Sequence, residues 1–233
     1  MNRNFQIPPT KRADAWSSRN GLAHSELVIN KRLSAPAVKY RTILLFGAPG
    51  AGKGTQGRIL GTIPHFFHCA CGDVFRNLRP ESALGRVFLD YSKRGELVPD
   101  EKTIELWRQS INAATKSGRF HPDTDTLVLD GIPRCLHQAE MLKDILDVKA
   151  VLYLCCPDPE KLLRRIQRRA LKENRLDDAN LDVVSTRLET YERDTKPLLK
   201  FYGSRLIHRI DAAQSPADVL CDILGRTRKL QPA

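Results

Sequence analysis

From residue 39 onward, short apolar runs alternate with longer stretches in which apolar and charged positions share a helical period. Residues 42–46, 66–70, 126–129, 150–155 and 206–210 read as strands, the first, third and fourth nearly free of charge and so buried on both faces. Between and after them, helices are predicted over 52–61, 73–78, 80–93, 100–114, 136–146, 159–170, 181–201 and 215–225. In the stretch 100–114, Asp100 is expected to cap the helix, and Ile104, Leu106, Trp107, Ile111 and Ala114 follow a helical spacing. Strand and helix in repeated alternation make a parallel sheet covered on both faces, so the expected fold class is α/β with three layers. No internal repeat is visible.

Composition narrows the function classes. The 233 residues are 41% hydrophobic, ordinary for a globular protein with a sizeable core, and no run approaches the roughly 18 consecutive apolar residues of a membrane span. No charged-then-apolar secretory signal opens the chain, so a cytoplasmic protein is expected. The six cysteines, at 69, 71, 135, 155, 156 and 221, lack paired C-x-x-C spacing and read as reduced, partly buried thiols. Net charge is +11, but residues 1–42 hold eight Lys or Arg against two acids, so +6 lies there and +5 on the remaining 191 residues. Residues 1–38 carry Pro8, Pro9, Pro36 and scattered Ser and Asn without a sustained apolar period. They read as a disordered basic leader with a short weak helix over 22–33 at most; the Arg-rich, acid-poor composition also fits an organelle import signal or an electrostatic arm. The ordered domain is expected over 39–226, with 227–233 a flexible tail.

A sharper signal is FGAPGAGKGT, residues 46–55, between the first strand and its helix. Gly47, Gly52 and Lys53 satisfy G-x-x-x-x-G-K, and Gly50, Ala51, Gly54 and Thr55 complete a phosphate-binding loop. A backbone that wraps an anion with N–H groups must approach phosphate oxygens closely, and glycine removes the side chains that would obstruct it. Lys53 adds a compact positive charge at the positive end of the following helix. Generic loops of this type place Ser or Thr directly after the lysine; here Gly54 stands there and Thr55 comes one residue later.

The second informative stretch is LVLDGIPRCLHQAE, residues 127–140. Asp130 ends a buried strand at the edge where open α/β sheets bind ligands, so it can order a Mg²⁺ and its waters; the bland alternative is that Asp-Gly is only turn chemistry. Arg134 at the same edge can grip phosphate oxygens two at a time, and Gln138, one helical turn on, carries an amide able to pair with a base edge. The helix from Pro159 carries Arg164, Arg165, Arg168 and Arg169, of which Arg165 and Arg169 share a face and can address one anionic ligand.

In order and spacing, GAPGAGKGTQ, CGDVFR, GELVPDE, LDGIPRCLHQAE, and NRLDD followed by TRLETY resemble the motifs of adenylate kinases and related nucleoside monophosphate kinases, over roughly residues 41–226. The resemblance implies a P-loop core, a monophosphate-binding helical insert near 71–100 and a lid near 170–186. It implies transfer of the γ-phosphoryl group of Mg·ATP to AMP, giving two ADP. Lys53 would then span phosphates across the transfer site, with Arg165 against the ATP adenine and Arg169 toward its phosphates. Cys71, Asp73, Arg76, Leu97, Val98, Gly131, Arg134 and Gln138 would form the acceptor side, where Arg76 and Arg134 hold the monophosphate and Gln138 pairs with its adenine. Asp73 and Asp130 would position the water shell of magnesium. Arg175 and Arg187 resemble lid arginines that close over the transferring group, and Asp177 and Asp178 would anchor the lid. Only 17 residues, 170–186, separate Arg169 from Arg187, which resembles the short-lid form. No cysteine falls there, so no zinc is expected. GKGT fits this branch, in which phosphates and water hold most of the magnesium.

Two positions depart from the pattern. Cys71 stands where relatives usually carry Ser or Thr, and a thiol is the weaker hydrogen-bonding group. Ile132 replaces an aromatic, a packing change. The expected partners are the small-molecule nucleotides ATP and AMP, bound by a monomer, with no membrane or nucleic-acid partner. Alternatives stay open: a UMP/CMP or other monophosphate kinase, a catalytically impaired nucleotide-binding protein, or an RNA-interacting protein that uses the basic leader and helix. Pyrimidine kinases usually place asparagines where this chain has Cys135-Leu136-His137-Gln138.

Overall fold

The computed structural model describes residues 39–173 and 175–230; the basic leader, with the helix expected over 22–33, and residues 231–233 lie outside them. Five strands, β1 (Tyr40–Phe46), β2 (Phe66–Ala70), β3 (Thr126–Asp130), β4 (Leu146–Cys155) and β5 (Ile207–Asp211), form one parallel sheet in the order β2-β3-β1-β4-β5. In the central strand β1, Ile43, Leu44 and Leu45 are at most 1% exposed. Successive side chains of a strand point to opposite faces. Leu44 and Phe46 accordingly join one core with Leu129, Trp107 and Phe120, while Ile43 and Leu45 join another with Leu152, Leu60 and Ile223. A core on each side gives the three layers and explains why the inner strands lack polar alternation.

Ten α-helices cover and connect the strands among the described residues: α1 (Lys53–Leu60), α2 (Cys71–Arg76), α3 (Ala83–Arg94), α4 (Asp100–Lys116), α5 (Leu136–Leu142), α6 (Pro159–Glu173), α7 (Leu176–Ala179), α8 (Leu181–Thr190), α9 (Leu198–Tyr202) and α10 (Pro216–Thr227). Helices α4, α5 and α9 supply Trp107, Leu142 and Leu198 to the first core; α1, α6 and α10 supply Leu60, Leu162 and Ile223 to the second. The chain therefore leaves the carboxyl ends of the adjacent strands β1 and β3 toward opposite faces. The crevice between those connections is where an open α/β sheet takes its ligand.

Several boundaries differ from the sequence expectation. Helix α3 starts at Ala83 because the Ser82 hydroxyl accepts the Gly85 N–H at 3.0 Å and caps it. Helix α5 stops at Leu142, since Leu146 already pairs with Tyr40 in the sheet. Asp100 is the first residue of α4, not its cap; Pro99 holds the cap position, and the Asp100 carboxylate is used elsewhere. The helix expected over 181–201 is divided: α8 ends at Thr190, one π-helical turn spans Tyr191–Thr195, and α9 starts after Pro197. Proline has no N–H to continue the ladder, and the wider turn accommodates the extra residue ahead of it. At the carboxyl side, α10 runs to Thr227 and a 3₁₀ turn spans Arg228–Leu230, where the Leu230 carbonyl accepts the Arg41 guanidinium at 2.6 Å.

Candidate active site

The loop after β1 has the backbone its composition requires. Gly50 lies at φ +82° and Gly52 at φ +97°. A Cβ on Gly50 would sit 2.7 Å from the Leu162 carbonyl, whereas Gly52 has open space and is fixed by its dihedral alone. Lys53 opens α1 and folds back over the loop, donating to the Gly47 carbonyl at 2.6 Å and the Ala48 carbonyl at 3.1 Å. Burial lowers its ammonium to about 8; Asp130 opposes that shift, and the charges of Arg134, Arg169 and Arg187 add to it. Those charges converge on Lys53, and Asp130 is the anion that offsets them there. The Asp130 carboxylate is 9% exposed and packs beside Gly54, 3.6 Å from where a Cβ would stand.

Beyond the end of β3, Arg134 folds over Gly131. Its Nε donates to the Gly131 carbonyl at 2.8 Å, and a Cβ on Gly131, at φ +80°, would meet Nη2 at 3.2 Å. Gln138 is 1% exposed and tied at both ends: its Oε1 accepts the Arg134 backbone N–H at 2.8 Å, and its Nε2 donates to Asp100 at 2.7 Å. Cys71, at 3% exposure, has its thiol raised to about 11, chiefly by burial, so it stays protonated. Asp73 is ion-paired with Arg76, and Arg175 approaches it at 3.9 Å. Burial works against its ionisation, yet the Arg76 hydrogen bond and the charges of Arg76, Arg175 and Arg58 hold its carboxyl below the usual range. Ile132 is 1% exposed within the α4-side core, as a packing residue would be.

The stretch between α6 and α8 is organised by α7. Asp178, fully buried, takes both Arg169 and Arg187, and Asp177 accepts Arg187 as well at 2.9 Å. Arg175 pairs with Glu173 at 2.6 Å. Arg165 donates to the Ala212 carbonyl at 2.7 Å, against the loop between β5 and α10.

Most of these groups border one cavity of about 670 Å³, whose lining does not include Asp100, Ile132 or Asp178. Its lining includes Gly47, Gly50, Ala51, Gly52, Lys53, Gly54, Thr55 and Arg165, together with Cys71, Asp73, Arg76, Leu97, Val98, Gly131, Arg134 and Gln138, and also Asp130, Arg169, Arg175 and Arg187. Sequence reasoning missed several wall residues. Gln56 is 2% exposed and donates to the Pro216 carbonyl at 2.9 Å; Thr103 donates to the Val98 carbonyl; Thr195 donates to the Arg134 carbonyl at 2.7 Å. Gln56 and Thr195 pair with segments 160 and 61 residues away, whereas Thr103 bonds a carbonyl five residues back, just past the motif GELVPDE. No described helix is long and apolar enough to cross a membrane.

Comparison with known proteins gives the site its lineage. The family profile for adenylate kinase matches residues 45–207. The adenylate kinase of Cyanothece sp. is 38% identical over 188 residues, covering 78% of this chain and 92% of that protein. That of Thermobifida fusca is 38% identical over 177 residues, covering 73% and 89%. That of Thermus thermophilus is 34% identical over 190 residues, covering 78% and 95%. The matched span runs from the end of β1 through the start of β5 and so contains the glycine loop, Arg76, Arg134 and the pairs of Arg169 and Arg187 with Asp178: this chain belongs to the adenylate kinase family.

Proposed function

We propose that this protein passes the γ-phosphoryl group of ATP to AMP, giving two ADP. One observation carries the reading: a single cavity joins the phosphate loop to the Arg134 and Gln138 wall, with Lys53 influenced by Arg134, Arg169 and Arg187 together. Phosphoryl transfer asks the protein mainly to align donor and acceptor and to stabilise charge spread over the equatorial oxygens. The loop amides and Lys53 take the ATP phosphates, and Lys53 must leave the Gly47 and Ala48 carbonyls to do so. Arg165 lines the ATP base, Arg76 and Arg134 grip the acceptor phosphate, and Gln138 meets the acceptor adenine. Arg169, Arg175 and Arg187 surround the transferring group; a guanidinium has five donors, so those engaged by Asp177 and Asp178 keep others for phosphate.

The donor set fits magnesium held mostly by phosphate and water. Asp130 offers one buried carboxylate beside Gly54, and among the described residues no three His, Cys, Asp or Glu gather as a protein-made cage. Asp73 is committed to Arg76 and Arg175, so Asp130 carries this role. The ion, when bound, neutralises phosphate charge.

In the same reading, residues 71–100 are the monophosphate-binding insert and 170–186 the short lid, on a cytoplasmic monomer that serves nucleotide biosynthesis. The test is turnover of ATP with AMP, CMP, UMP and GMP: AMP is expected to be preferred, and preference for a pyrimidine sinks the assignment. Lys53→Ala and Arg134→Ala are expected to abolish transfer while far-ultraviolet circular dichroism stays unchanged.

A further inference from the structure

Gln138 is the middle of a relay. Its carboxamide has two N–H donors and two acceptor lone pairs. Asp100 takes one N–H and the Arg134 backbone N–H takes one lone pair. Both partners are one-way, since a carboxylate only accepts and a backbone N–H only donates. A flipped amide would set oxygen against carboxylate and N–H against N–H, so the orientation is fixed. Asp100 is itself held. Its other oxygen accepts the Cys135 thiol at 3.2 Å, and it lies in the first turn of α4, where the positive helix end favours a carboxylate. The Cys135 thiol is raised to about 11, by burial first and then by Asp100, and so keeps the proton it donates.

We propose that Asp100 is the positioning residue that sets base specificity, by locking the Gln138 amide in the one orientation that fits a 6-aminopurine monophosphate and rejects a 6-oxopurine one. This rests on Gln138 meeting the acceptor base. After the relay, Gln138 has one N–H and one lone pair left, and it borders the cavity. Adenine presents the N1 acceptor beside the N6 amino donor. A 6-oxopurine reverses that order, with an N1–H donor beside the O6 acceptor. A free amide could turn over to suit either base. A locked one meets the second with donor against donor and acceptor against acceptor, and buried polar groups left unpaired in this way discriminate strongly.

The experiment compares kcat/KM for AMP and for inosine monophosphate in the wild type, Asp100→Asn and Gln138→Ala, with KM for ATP and melting temperature alongside. An asparagine side chain can turn either end toward Gln138, which removes one of the two one-way partners and leaves the Arg134 N–H as the other. The ratio of AMP to inosine monophosphate is expected to fall about tenfold or more in Asp100→Asn with KM for ATP unchanged. If Asp100→Asn keeps the wild-type ratio while Gln138→Ala lowers it, Asp100 does not orient the amide and the proposal is overturned, though the base contact stands. If Gln138→Ala leaves both the ratio and KM for AMP unchanged, the base contact fails and the proposal with it. Should Asp100→Asn not fold, Cys135→Ala withdraws the other anchor of Asp100; a fall of about threefold supports the relay and an unchanged ratio overturns it.

Discussion

Arg169 and Asp178 form a two-point pair, Nε to Oδ2 at 2.7 Å and Nη2 to Oδ1 at 2.9 Å, and the same carboxylate receives Arg187. One buried acid thus gathers two arginines that border the cavity from different helices, α6 and α8. It fixes where these two positive charges stand at the cavity wall.

Asp178→Asn removes that charge and leaves both guanidinium groups facing a neutral amide. Breaking a buried pair this way costs about 2–3 kcal/mol, a fall in melting temperature of roughly 5–10 °C. The turnover number should drop about tenfold or more, with KM for AMP little changed. Scanning calorimetry and steady-state kinetics check both, and a variant that melts and turns over like the wild type would show the pair to be idle.

The same carboxyl makes stability sensitive to acid. Burial opposes its ionisation, but the Arg169 hydrogen bond and the charges of Arg169 and Arg187 hold it below its ordinary 3.8. The unfolded chain therefore binds the proton first as pH falls. The contribution is complete above the unfolded value and is lost as pH drops through the lower folded one. Urea unfolding between about pH 5 and pH 2.5 should show a steeper loss in the wild type than in Asp178→Asn. Parallel curves would contradict it.

Lys53 titrates at about 8 before nucleotide arrives, because it is buried among cations. Phosphate brought beside it raises that value, so ATP binding near pH 8 should take up roughly half a proton, and almost none at pH 6.5. Calorimetry in two buffers of different ionisation enthalpy reads the uptake directly. Lys53→Met should abolish it; uptake that persists in that variant would place the titrating group elsewhere.

Cys71 tests the departure from the family pattern. Its thiol is buried, protonated and a weak hydrogen-bonding group in the cavity lining. Cys71→Thr supplies a hydroxyl of similar size and should lower KM for AMP by about three- to tenfold, the worth of one ordinary hydrogen bond, without moving KM for ATP. An unchanged or raised KM for AMP would mean that this side chain does not contact the acceptor.

The sequence by itself determined the layers of the fold and the phosphate grip. The apolar runs of β1, β3 and β4 and the glycine spacing of 47, 50 and 52 express strand burial and loop dihedrals, which depend on neighbours a few residues away. Some of its errors have local causes, such as the Ser82 cap, and others fall where distant segments compete for one group. Asp100 reads locally as a helix cap, yet its carboxylate serves Gln138, 38 residues on. The helix expected over 181–201 widens at Tyr191–Thr195, and Thr195 reaches the Arg134 carbonyl across 61 residues. Gln56 is bound to Pro216 across 160. Local spacing names the residues that can touch a nucleotide; only the tertiary structure decides which of their donors and acceptors are already taken, because each hydrogen bond needs two partners that the chain alone does not bring together.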